Sequence, residues 1–203
     1  FFLDELVGIL DLAGTDVLGH SLGSYLALEV AVRWPRRVGA MVLAAPLGIQ
    51  VPGHPLAEIF GRPLSEVADL MLAEPSHPLV ALMRYLNPGA AGREAPPPGA
   101  VESMRPFLAA LWATAKLAFA PYFYDPKLAG RLRRISSPVV FIRGAADRFI
   151  PAAVVEALAG RVPGSRQEEV TGAAHLVLMD RPAACLPLVA RGLGVAELRN
   201  TSN

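Results

Sequence analysis

Residues 17–25 read VLGHSLGSY and place a small hydroxyl residue, Ser21, between two glycines, Gly19 and Gly23, just after an apolar run. Two readings fit such a stretch. One is a tight loop with no chemistry; the other is a nucleophile on a sharp turn whose neighbours must be nearly free of side chains. The surrounding segments bear on the choice. TDVLG (15–19) is a short strand-like run, and LGSYLALEVAVRWP after it has helical periodicity and ends before Pro35. RVGAMVLAAPL (37–47) is a continuous apolar run, as expected of a strand buried on both faces. Strand, helix, strand in this order is a βαβ unit and implies a parallel sheet.

Helical spacing also marks Leu3, Leu6, Val7 and Leu10, with Gly14 as a stop. From Pro46 to about Gly130 prolines and glycines become frequent. Between them lie helical stretches such as LSEVADLMLAE and HPLVALMRYL, so this part reads as an insertion of helices joined by loops. The prolines at 96–98 read as a stiff exposed connector, with a partner-binding polyproline role as the alternative. Alternating α/β character resumes at SSPVVFIRG (136–144), a buried strand. A helix in PAAVVEALAGRVP, a more polar strand in SRQEEVTG and a closing helix from about Arg181 to Leu193 follow. The polar tail ELRNTSN is expected to fray. The resulting division is a core part over 1–45, an inserted helical cap over 46–130 and a second core part over 131–203.

Composition excludes several classes. The 203 residues are enough for one domain with a sizeable core, and 53% hydrophobic against 18% charged residues is a globular balance. Nineteen basic residues face eighteen acidic ones without long runs of one sign, which argues against a nucleic-acid partner or an acidic membrane surface. The lone cysteine, Cys185, cannot form an internal disulfide, fits a reducing cytoplasmic setting and reads as buried helix packing. The most apolar stretch, PFLAALWATAKLAFAPYFY (106–124), is interrupted by Lys116 and bracketed by Pro106 and Pro121, so no transmembrane segment is expected. His54 and His77 are too scattered for a metal site. The chain opens without methionine in mid-pattern, which reads as part of a longer protein.

A serine hydroxyl needs a base to take its proton, and that base needs an acid to orient it. FIRGAADRFIP delivers Asp147 just beyond one predicted strand, and VTGAAHLVLMDRP delivers His175 beyond the next. In a parallel sheet all carboxyl ends lie on one edge, so Ser21, Asp147 and His175 are directed to one crevice. Each has a bland alternative: G-x-S-x-G alone can be a loop, and Asp147 alone can cap a helix. Together, in the order Ser, Asp, His, they point to a catalytic triad.

These motifs resemble the α/β-hydrolase superfamily, whose nucleophile elbow G-x-S-x-G is matched by Gly19-His20-Ser21-Leu22-Gly23. The resemblance implies an α/β fold, a mostly parallel sheet with flanking helices and an inserted helical cap. It covers only the later part of that fold: the family's first strands, and the loop giving one oxyanion donor, would precede Phe1. The span as given is therefore expected to expose apolar surface along TDVLG and to dissolve poorly. The flanking glycines are expected to prevent collisions at the elbow, and the Leu22 N–H to be one oxyanion donor. The implied activity is hydrolysis of an ester or related acyl bond of a small apolar substrate, with no cofactor and no metal. The alternatives are a carbon–carbon bond hydrolase of ring-cleavage products and a non-catalytic binding protein of the same fold. Substrate-lining candidates are His20, Trp112, Phe119, Tyr122 and Phe149. Asp125 and Asp180 read as caps or turn formers, and Arg143 and Arg148 as solvated residues beside the acid loop.

Overall fold

A computed structural model of the chain describes residues 2–86 and 99–195. The 96–98 proline run and the ELRNTSN tail lie outside the described residues. Four strands, β1 (Thr15–His20), β2 (Val38–Ala44), β3 (Val139–Gly144) and β4 (Arg166–Val170), form one sheet in the order β1-β2-β3-β4. Every adjacent pair is parallel, so all four carboxyl ends lie on one edge.

The apolar runs at β2 and β3 are continuous because both faces of the sheet are covered. Alternate residues go to opposite sides, as the two-residue period of a strand requires. Met41, Leu43, Val139 and Phe141 join the larger core with α2 (Leu22–Arg33) and α7 (Ala152–Ala159). Val42, Ala44, Val140 and Ile142 meet the smaller core, which includes Val177 of α8 (Val177–Asp180) and Cys185 of α9 (Pro182–Gly192). α9 sits close: a Cβ on Gly192 would come within 3.3 Å of a Val140 methyl carbon and nearer still to Val42. Among the described residues β1 is an edge strand, and Leu18 is 48% exposed.

α1 (Phe2–Ile9) precedes β1, and its helical spacing is the one seen in the sequence. Between β2 and β3 the chain leaves the sheet and builds α3 (Leu64–Met71), α4 (Pro78–Tyr85), α5 (Ala100–Ala118) and the short α6 (Leu128–Arg131). α5 begins before Pro106 and carries that proline inside it, where the sequence suggested a boundary. Aromatic rings close the inner side of this segment, with Phe60 stacked on Phe123 at 5.4 Å and Tyr122 edge-on to Phe123 at 4.9 Å. No helix among the described residues is long and apolar enough to cross a membrane.

Candidate active site

Ser21 follows β1 directly and begins α2 from a backbone conformation rare for a side-chain-bearing residue, φ 51° and ψ −116°. Its amide donates to the Ala44 carbonyl at 2.9 Å, and the buried Ser24 hydroxyl donates to the same oxygen at 3.0 Å. The end of β2 thus fixes the turn from outside. Gly19 is required here: a Cβ on it would sit 2.9 Å from the Ser24 nitrogen and 3.0 Å from the Gly23 carbonyl group. Gly23 differs from expectation, since a Cβ there would meet nothing within 4 Å. Only the first of the two flanking glycines is enforced by crowding within the described structure.

The loops after β3 and β4 converge on this turn. His175 Nε2 lies 2.9 Å from Ser21 Oγ, and His175 Nδ1 lies 3.2 Å from Asp147 Oδ2. Both the imidazole and the carboxylate are 2% exposed. A carboxylate only accepts, so the proton sits on Nδ1 and Nε2 is left to accept the serine hydroxyl. The other oxygen of Asp147 accepts the Phe149 and Ile150 amides at 2.8 and 2.9 Å, which aims the carboxylate at the histidine. Phe149, 1% exposed, packs edge-on against the imidazole at 4.8 Å.

The two loops are fastened to each other. The Ala145 amide donates to Val170 O at 3.0 Å, and the Ala146 amide to Ala173 O at 2.8 Å. Gly144 makes their approach feasible, because a Cβ there would come within 2.7 Å of the Ala173 carbonyl carbon and closer to the carbonyl oxygens of Ala173 and Ala174. His20 Nε2–H donates to the His175 carbonyl at 2.9 Å, and the two rings lie 5.2 Å apart. Burial first, then the neighbouring His175, lower the His20 pKa from 6.5 to about 4, so this ring is neutral near pH 7.

The other sequence candidates are spread more widely. Leu22 is the first residue of α2, so its N–H has no partner inside that helix. Tyr122 donates its hydroxyl to Ala57 O at 2.8 Å and accepts the Ile59 amide at 2.9 Å, tying two stretches of the insertion together. Phe119 is 66% exposed and touches Phe60, and Trp112 is 72% exposed on α5. Neither makes a ring contact with His20 or His175, among the described residues. No group of three or more His, Cys, Asp or Glu side chains among the described residues is arranged to hold a metal.

Asp180 is a residue that sequence reasoning misread. Rather than capping a helix, its buried carboxylate accepts the Ala174 amide at 2.7 Å and the Ala73 amide at 3.2 and 3.3 Å. The one available sign was an acidic residue so close after His175, and its second partner lies 107 positions away.

The profile of the alpha/beta hydrolase family matches residues 2–188. A pimeloyl-[acyl-carrier protein] methyl ester esterase of Aromatoleum aromaticum is 28% identical over 178 residues, covering 85% of this chain and 71% of that protein. An uncharacterized protein of Mycobacterium tuberculosis is 23% identical over 203 residues, and there the chain spans only 60% of the relative's length. Among solved structures, 2-hydroxy-6-oxo-6-phenylhexa-2,4-dienoate hydrolase of Rhodococcus sp. strain RHA1 superimposes with a TM-score of 0.66 at 16% identity. That match covers 93% of this chain and 67% of the other, and at such identity it speaks to the fold alone.

Proposed function

The chain belongs to the alpha/beta hydrolase family, and from that membership we propose that it is a serine hydrolase cleaving an ester or related acyl bond of a small apolar substrate. The observation that carries the reading is the continuous hydrogen-bonded line from Ser21 Oγ through His175 to Asp147. Similarity to an ester-cleaving relative, at 28% identity, supports the choice of bond.

In this mechanism His175 Nε2 takes the Ser21 proton as Oγ attacks the acyl carbon. Asp147 holds the imidazole in the Nδ1–H tautomer and stabilises the imidazolium. The Leu22 N–H, at the positive end of α2, binds the oxyanion. Collapse of the tetrahedral species breaks the bond to the leaving alkoxide, which takes the proton from Nε2. Water then attacks the acyl-enzyme, giving its proton to the same nitrogen, and the serine leaves protonated. The triad needs no cofactor for these steps. The inserted helices between 46 and 130 act as the cap. A single free thiol, Cys185, suits a reducing compartment, and the cytoplasm is the location proposed.

The test is a panel of p-nitrophenyl esters and a 2-hydroxy-6-oxo-dienoate, with wild type and Ser21→Ala. Ester turnover that Ser21→Ala abolishes supports the reading. Turnover of the dienoate alone reassigns the bond to carbon–carbon, and binding without turnover of either substrate makes the protein a non-catalytic member.

A further inference from the structure

Three successive residues of the histidine loop are each held by a different part of the molecule. The Ala174 amide donates to Asp180, the His175 carbonyl accepts from His20 at the end of β1, and the Leu176 amide donates to Met71 O at 2.8 Å. Met71 closes α3, so one of these attachments comes from the inserted helices. The next residues of that segment are held by the core as well. Leu72 O accepts from Arg148 Nη2 at 3.4 Å beside the acid loop, and the Ala73 amide donates to Asp180. Asp180 bonds both sides, taking Ala174 of the histidine loop and Ala73 of the insertion on one carboxylate.

Asp180 is 8% exposed. A buried carboxylate is tolerated where N–H donors surround it, and removal of the acceptor strands those donors. The two amides it satisfies lie one residue before His175 and two residues after α3. Movement of the insertion at 71–73 is therefore movement of the peptide that carries the imidazole.

We propose that Asp180 is a positioning residue that fastens the inserted helices to the histidine loop, so that His175 meets Ser21 only while α3 is docked. This rests on the serine-hydrolase reading and adds to it a specific dependence of the triad on the insertion. Asp180 touches no reacting atom. It acts through Ala174, and its loss lets the imidazole drift from the 2.9 Å contact with Ser21. A displacement near 1 Å at a reacting group costs about 10²-fold in rate.

Two variants separate the two ends of the latch. Asp180→Ala removes the acceptor from both amides, whereas an Asn could keep its oxygen where Oδ2 takes both. Ala73→Pro deletes only the donor on the insertion side; Leu72 before it is already extended, the conformation a proline requires of its predecessor. Each is compared with wild type below its melting midpoint, by the rate of Ser21 modification with a fluorophosphonate and by the downfield proton resonance of His175 Nδ1–H. The expected result is modification about 10²-fold slower in Asp180→Ala, a smaller loss in Ala73→Pro, and a shifted or broadened Nδ1–H signal in both. A lowered melting temperature with wild-type modification rates and an unchanged Nδ1–H resonance, in whichever variant folds, overturns the proposal. Wild-type protein that is folded but unmodified at Ser21 rejects the serine-hydrolase reading instead, and the Nδ1–H comparison then judges the latch separately.

Discussion

Gly144 ends β3 directly beneath the carbonyl of Ala174, leaving no room for even one carbon atom between them. The histidine loop thus lies on the backbone of the strand that delivers the acid. Gly144→Ala is expected to lift that loop, lower the melting temperature and slow modification of Ser21 by at least the ~10²-fold that a 1 Å misplacement costs. Thermal melting and labelling kinetics on the same sample check it, and a wild-type rate in Gly144→Ala would refute it.

The two elbow glycines are expected to behave differently. Gly19→Ala forces a Cβ against the Ser24 nitrogen and should destabilise the fold and disable Ser21. Gly23→Ala points into open space on the first turn of α2 and should raise stability by up to about 1 kcal/mol through helix propensity. Urea unfolding of both variants distinguishes crowding at one site from crowding at both.

His20 predicts a pH dependence of stability. Its folded pKa, about 4, is below the ordinary 6.5, so between these values the unfolded chain binds more protons at this residue. The stabilisation is full above pH 6.5 and is lost as the pH falls toward 4. Urea midpoints measured across that range should fall more steeply in wild type than in His20→Gln. Parallel curves would show that the ring titrates normally.

Arg131 bridges Glu29 of α2 and Asp125, the latter between α5 and α6. Desolvation raises the Glu29 pKa, and the two carboxyl groups are close enough to interact. Removing the guanidinium leaves them facing one another in a partly desolvated site. Arg131→Met should cost about 2 kcal/mol, recovered in part by Glu29→Gln in the double variant. Additive losses in the cycle would deny the coupling.

Much of this was legible because the chemistry sits next to strand ends. Ser21, Asp147 and His175 each follow a strand legible in the sequence, and a parallel sheet carries such positions to one edge. The limits were just as physical. Asp180 resembles a helix cap until its partner at Ala73 is known, and that contact depends on how the insertion folds back. The need for Gly144 comes from a neighbouring strand's loop, and the freedom at Gly23 from space that no local pattern reports. Trp112 and Phe119 read as candidate pocket aromatics, but which side of a helix faces inward is settled by packing, and both are exposed.

The most direct test of the central claim is modification of the folded protein by a fluorophosphonate, with the adduct located by mass spectrometry. The predicted result is one adduct on Ser21, absent from Ser21→Ala and strongly slowed in His175→Ala. A cooperatively folded protein with no adduct, or with one that persists in Ser21→Ala, would contradict the assignment of Ser21 as the nucleophile.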